Sequence, residues 1–272
     1  MAENPLRDPL SLFDVSGKVI VITGASGALG RAAAIALGAL GARLLLASGS
    51  AGGLTAVAAE IEETGGQVAT LACRPDTQAD ADAIVAAATA AYGQVDSVFV
   101  ASGYNKPSPI EEMAYEDWQA IMDANVRGPW LVARSFGQHL AGRSAAGEDG
   151  RGKLVLVSSV RGRHGSPAGY SAYCTSKGAV DSLTKTLATE WGPRGINVNA
   201  IAPTVFRSAL TEWIFADTEA GRASRERNYA RISLKRLGEP ADFIGIVLYL
   251  LSAASDFVTG QVIYVDGGYT AA

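Results

Sequence analysis

The sequence predicts an α/β fold, a single Rossmann-like doubly wound parallel sheet of about seven strands with helices on both faces. Three observations predict it. Apolar, β-branched runs of strand length recur along the chain. Ala-rich segments with helical spacing lie between them, and neither a linker nor an internal repeat divides the pattern. A strand that is apolar throughout, rather than alternating, is buried on both faces, as in a parallel sheet. Strand–helix alternation at this pitch implies right-handed crossovers with helices on both sides.

Residues 1–14 read as an irregular arm and 15–272 as one domain. The first strand is residues 18–23 (KVIVIT), followed by an Ala-rich helix over 30–41. Strand 43–47, helix 54–63, strand 67–72, helix 80–92 and strand 95–101 continue the alternation. One long helix is predicted over 115–140, then a small, polar surface loop over 144–152. Strand 153–158, helix 172–191 and strand 196–201 come next. After an irregular stretch, helix 240–251 and strand 261–265 complete the set.

Composition excludes several function classes. Of the 272 residues, 48% are hydrophobic and 18% charged, enough apolar surface for a sizeable core. The net charge is −4 with no run of Lys or Arg, so no nucleic-acid partner is expected. The N-terminus lacks a secretory pattern, and no stretch reaches the ~18 apolar residues of a membrane helix. The two cysteines, Cys73 and Cys174, form no disulfide framework and fit a reducing cytoplasm. No His, Cys or carboxylate cluster has metal-ligand spacing, so no metal is expected.

The first strand runs directly into Thr23-Gly24-Ala25-Ser26-Gly27-Ala28-Leu29-Gly30, where a helix begins. Glycines there permit a tight turn and close backbone approach to a pyrophosphate. The helix N-terminus adds free N–H groups and the positive end of its dipole. The strand before and the helix after separate this pattern from a plain strand–helix turn.

Tyr173 and Lys177 lie four residues apart and so share one helix face. A free tyrosine, with a pKa of ~10, is a poor base at neutral pH. A neighbouring ammonium stabilises the phenolate, which makes the pair a proton-transfer device. Spacing alone also describes an ordinary amphipathic face.

With the Gly24–Gly30 loop, the Tyr173/Lys177 pair, and Ser159 lying three residues before Gly162 and six before Gly165, the chain resembles the short-chain dehydrogenase/reductase family. The resemblance runs from about residue 15 to 268, including Arg236-Leu237-Gly238-Glu239-Pro240 and Val265-Asp266-Gly267-Gly268. It implies a nicotinamide-dependent interconversion of a secondary alcohol, sugar or polyol hydroxyl with a ketone. Ser159 then donates a hydrogen bond to the substrate oxygen, and Tyr173 transfers the proton. Lys177 binds the nicotinamide ribose and depresses the tyrosine pKa. The main-chain carbonyl of Asn125 holds a water in the proton path. Tyr170 is the rival tyrosine, but Cys174, not a lysine, lies four residues beyond it.

Cofactor binding is implied for Gly24, Ser26, Gly27, Leu29, Gly30, Ser48, Arg74, Ala101, Gly103, Tyr173, Lys177, Phe206 and Ser208. Several positions depart from the family pattern. Ala28 and Thr204 replace glycines, Val100-Ala101-Ser102-Gly103 replaces Asn-Asn-Ala-Gly, and Arg74 stands where an Asp is usual. The second strand ends in Ser48-Gly49-Ser50, without the acid that selects NAD. Arg74 is either a phosphate- or adenine-binding cation or a solvated loop arginine. Together these tilt the expected NAD(P) cofactor toward NADP. Residues 204–232 resemble the family's mobile substrate lid, with a surface helical hairpin as the alternative. The resemblance also implies a cytoplasmic homotetramer or homodimer acting on a small alcohol or ketone. The competing reading is a noncatalytic scaffold or regulator whose cofactor site has drifted.

Overall fold

The computed structural model describes residues 5–271, so the first four residues of the predicted arm lie outside the described residues. Within the arm, Pro9–Phe13 forms a 3-10 helix with proline at its start, where its missing N–H costs no bond. Seven strands form one sheet: β1 (Val19–Thr23), β2 (Arg43–Ser48), β3 (Gln67–Ala72), β4 (Ser97–Val100), β5 (Gly152–Val157), β6 (Ile196–Pro203) and β7 (Val262–Val265). Their order is β3-β2-β1-β4-β5-β6-β7, and every neighbouring pair is parallel.

The doubly apolar strands have a direct physical reading. Val19 and Val21 of β1 face one helical layer, while Ile20 and Ile22 face the other. The first layer contains α3 (Gln78–Tyr92), α5 (Gly128–Ala145) and α6 (Ser171–Trp191). The second contains α1 (Ala28–Ala39), α2 (Ala51–Glu63) and α9 (Ala241–Leu251). Alternate side chains leave a strand on opposite faces, so a strand covered on both sides must be apolar at every position. The alanines of α1 let it pack closely on β1, where Ala33 and Ala34 are buried. Helix starts explain most of the small shifts from the predicted boundaries. Ser50 caps α2, and Thr77 with Asp80 forms a capping box on α3.

The long helix predicted over 115–140 is instead three segments. They are α4 (Tyr115–Met122), a π turn (Asp123–Arg127) and α5, which continues through Ala145 into the predicted loop. A widened turn interrupts the regular hydrogen-bond ladder, and such turns often mark functional positions. The local sequence supplies a reason. In a regular helix the carbonyl of Asn125 accepts from the N–H of residue 129, but Pro129 has none.

Strand order reverses direction between β1 and β4, which leaves a crevice at their carboxyl ends where open α/β sheets bind ligands. Among the described residues, no helix is long and apolar enough to cross a membrane. Phe136 of α5 is fully buried against the first core layer. Replacing it with alanine is expected to lower unfolding free energy by about 3–5 kcal/mol in urea titration.

Candidate active site

The crevice is built from β1 outward. Gly24 turns the chain at φ +69°, and a β-carbon there would come within 2.5 Å of the Ser102 nitrogen. The loop is therefore pressed against the backbone beyond β4, and only glycine fits. Gly30 is constrained similarly, since its β-carbon would lie 2.9 Å from the Gly24 carbonyl carbon. Gly27 caps α1 without a side-chain hydrogen bond, unlike the caps of α2 and α3. The first amides of α1, including those of Ala28, Leu29 and Gly30, thus face the crevice region without a side-chain acceptor. This cradle fits the pyrophosphate of a dinucleotide. Ala28 is the first residue of α1, so its methyl carries no backbone strain.

At the far end of the crevice, Ser26 and Ser48 share a hydrogen bond of 2.5 Å between their hydroxyls, and the Ser50 N–H donates to Ser48. The Arg74 stem crosses Gly49, its Cγ 3.0 Å from where a β-carbon would stand. Ser26, Ser48 and Arg74 are therefore brought together, and Gly49 leaves the room for it. On the other side, the Ala101 N–H donates to the Thr23 carbonyl at 3.0 Å. The Ser102 hydroxyl approaches that of Thr23 at 3.5 Å, so short hydroxyls stand in for the absent asparagine side chains.

The catalytic candidates converge where β4, β5 and α6 meet. Lys177 is buried, and its Nζ donates to the Val157 carbonyl at the end of β5 at 2.8 Å. Gly103 lies beside both Lys177 and Asn125, 3.7 Å and 3.5 Å from an added β-carbon. Asn125 is fully buried in the π turn. Its amide accepts from the Tyr104 N–H at 2.7 Å, donates to the Tyr104 carbonyl at 2.8 Å, and donates to Ser176 at 3.0 Å. Ser176 in turn donates to the Tyr173 carbonyl at 2.8 Å. The Asn125 side chain is thus used up in clamping the loop after β4 to α6, leaving its main-chain carbonyl for other work.

Electrostatics at the pair follow from burial. Desolvation pushes the Tyr173 phenol up to about 12, opposed by a hydrogen bond with Ser159 and by the charge of Arg161. Desolvation also lowers the Lys177 ammonium to about 8, partly offset by Asp181. Lys177 Nζ stands 5.7 Å from the Tyr173 ring centre. Lys177 spends its shortest hydrogen bond on β5. Ser159 is buried, accepts from the Arg161 N–H at 3.2 Å and lies 3.5 Å from the Pro203 carbonyl.

Phe206 is a core residue, ring to ring with Phe243 at 5.8 Å, and its carbonyl accepts from Thr211 at 2.5 Å. Ser208 shares a hydroxyl hydrogen bond with Thr211 at 3.0 Å. Both lie at the start of the segment that carries α7 (Glu212–Phe215) and α8 (Glu219–Arg231). These two helices form a hairpin whose Ile214 is buried beside Ile232, Val160 and Tyr269.

Three residues escaped the sequence reading. Ser176 lies inside the Tyr173–Lys177 interval and joins α6 to Asn125. Asp181, four residues after Lys177, accepts a short hydrogen bond from Ser158. The i, i+4 series Tyr173, Lys177, Asp181 was the available signal for it. Arg161 follows Ser159 by two residues, and only the packing reveals its position. Among the described residues no cluster of His, Cys, Asp and Glu is arranged to hold a metal ion.

Comparison with known proteins places this geometry among relatives. The family model described as Enoyl-(Acyl carrier protein) reductase matches residues 24–270. An uncharacterized oxidoreductase of Mycobacterium tuberculosis is 57% identical over 265 residues, 96% of this chain and 94% of that protein. Gluconate 5-dehydrogenase of Gluconobacter oxydans is 34% identical over 95% of this chain and 97% of its own length. A crystal structure of a putative 2-deoxy-D-gluconate 3-dehydrogenase from Agrobacterium tumefaciens with bound NADP superimposes with a TM-score of 0.85. That structure is 31% identical, over 96% of this chain and 99% of the other.

The Asn125 clamp yields a prediction. Asn125→Ala removes every partner of the Tyr104 amide and carbonyl described above. It is expected to cost about 2–4 kcal/mol in urea unfolding, since buried polar groups are left unpaired. Tyr173→Phe, which deletes one hydroxyl, is expected to cost about 1 kcal/mol or less in the same titration.

Proposed function

The chain belongs to the short-chain dehydrogenase/reductase family of oxidoreductases acting on CH–OH groups, and we propose that it interconverts a secondary alcohol and a ketone by NAD(P)-dependent hydride transfer with Tyr173 as general acid/base. The observation that carries this reading is Lys177 buried at the end of β5, its Nζ 5.7 Å from the Tyr173 ring centre on the same face of α6. A bound nicotinamide supplies or accepts the hydride.

The chain's own residues do the rest. In reduction, Ser159 donates a hydrogen bond to the substrate oxygen and stabilises the charge that grows there. Tyr173, held at about 12, is protonated at neutral pH and gives its proton to that oxygen. In oxidation the proton returns to Tyr173, and the nearby cations favour the phenolate this requires. Lys177 and Tyr173 hold the nicotinamide ribose. The Asn125 carbonyl, deprived of its helical partner by Pro129, accepts from a water that connects Lys177 to solvent. Gly24, Ser26, Gly27, Leu29 and Gly30 hold the pyrophosphate, Ala101 and Gly103 flank the ribose, and Phe206 and Ser208 meet the carboxamide end.

Ser26, Ser48 and Arg74 at the adenosine end support NADP over NAD, and a related structure is described with bound NADP. Relatives named for gluconate support a sugar or polyol hydroxyl as the reacting group. Residues 204–232 act as the substrate lid of a single catalytic domain. The expected setting is the cytoplasm. The exposed Tyr115, Trp118 and Trp130 of α4 and α5 support a homodimer or homotetramer in which another subunit covers them.

Two measurements test this reading. Tyr173→Phe is expected to reduce turnover by about 10²–10⁴-fold while NADPH binding, followed by nicotinamide fluorescence, persists. Near-normal turnover would sink the assignment. Arg74→Ala is expected to lower the NADP-to-NAD ratio of kcat/KM by about tenfold, the value of one charged hydrogen bond. A wild-type enzyme that works better with NAD than NADP overturns the cofactor assignment.

A further inference from the structure

Arg161 occupies an unusual place beside the proposed reaction centre. Its N–H donates to the Ser159 hydroxyl at 3.2 Å. Its guanidinium lies 5.9 Å from the Tyr170 ring centre and 5.7 Å from that of Tyr269. Tyr170 in turn stands edge to face with Tyr173 at 6.0 Å. One aromatic ring thus separates this cation from the proton-transferring phenol. Nη1 donates to the Gly165 carbonyl at 2.9 Å, and the Nε–Nη2 edge makes no hydrogen bond among the described residues.

Two further arginines stand near Arg161. Arg231, at the end of α8, lies 4.2 Å from the Tyr269 ring centre, and Arg163 lies 5.8 Å from that of Tyr264. Among the described residues none of these three arginines forms an ion pair, whereas Arg207, Arg222 and Arg236 all do. Asp181 and Asp266, which flank Tyr264 beside Arg163, are held by other donors. Asp181 accepts from Ser158, while Asp266 accepts from the Gly268 and Thr270 amides and the Thr270 hydroxyl. His164, edge to face with Tyr269 at 6.3 Å, buries an Nε2 that has no partner among the described residues.

We propose that Arg161 is a substrate-binding residue that receives a carboxylate, so that the substrate is a hydroxy acid or the corresponding keto acid. This rests on the oxidoreductase reading above and specifies its substrate. Tyr170 and Tyr269 fix the guanidinium plane by cation–π contact. With Nη1 committed to Gly165, the remaining edge offers two parallel N–H donors, the match for one carboxylate. Arg231 and Arg163 raise the local positive potential, which draws an anion toward the mouth. Oxidation of the alcohol sends its hydride to the bound nicotinamide and its hydroxyl proton to Tyr173. The carboxylate is unchanged and serves only to orient.

The test uses the full-length enzyme saturated with NADP⁺ and a panel of hydroxyhexanoic and six-carbon aldonic acids. Each acid is paired with its methyl ester and, for the aldonic acids, with the alditol. The wild type is expected to favour the acids. Arg161→Gln is expected to cut the acid-to-ester ratio of kcat/KM about tenfold to hundredfold, mainly through KM. Arg161→Lys, which keeps the charge but not the fork, is expected to restore part of it. A structural role alone would lower activity on both members of a pair equally. Equal use of acids and esters, turnover of neutral members only, or an acid preference untouched in Arg161→Gln overturns the proposal and leaves the oxidoreductase reading standing. An enzyme that binds NADPH yet oxidises no acid in the panel overturns it as well. One that binds neither reduced nicotinamide overturns the reading on which it rests.

Discussion

The site depends on one buried charge. Lys177 carries an ammonium into the interior, where desolvation, partly offset by Asp181, pulls its pKa to about 8. The fold offsets part of that cost with the Val157 carbonyl at 2.8 Å. This hydrogen bond fixes α6 against the end of β5, and one helical turn earlier it fixes Tyr173. Ser176, the residue before the lysine, carries the constraint to Asn125 and from there to the backbone of Tyr104. Three chain segments distant in sequence are thus held in register by short polar contacts, buried or partly buried. In such a low-dielectric setting each contact is worth more than at the surface, and each omission costs more.

The sheet was legible because burial on both faces imposes a simple rule on sequence. Val19 to Ile22 are all apolar since alternate residues serve different helical layers. Helix ends were less legible, because Ser50 and Thr77 define starts that an apolar period alone does not mark. The break between α4 and α5 was written in the chain as Gly128-Pro129: a proline there removes the donor that would continue the regular ladder. Tyr173 and Lys177 were paired by their i, i+4 spacing, whereas Ser159 and Asn125 were singled out only through the family resemblance. Arg161 was not legible, because its place is set by Tyr170 from the next helix start and by Tyr269 from the far end of the chain. Neither pairing has a period.

The departures in the crevice sort by the space available to a β-carbon. Gly24 and Gly30 face backbone atoms at distances no side chain tolerates, and both remain glycine. Ala28 and Thr204 stand where resembling chains have glycine, yet neither has a positive φ; among the described non-glycine residues only Lys235 does. Their methyl and hydroxyethyl groups cost no backbone strain. The altered Val100–Gly103 segment retains Gly103, whose neighbours are Asn125 and Lys177, and recovers a weak hydroxyl contact between Ser102 and Thr23. Change at positions with conformational room, around glycines that have none, leaves the backbone of the crevice intact.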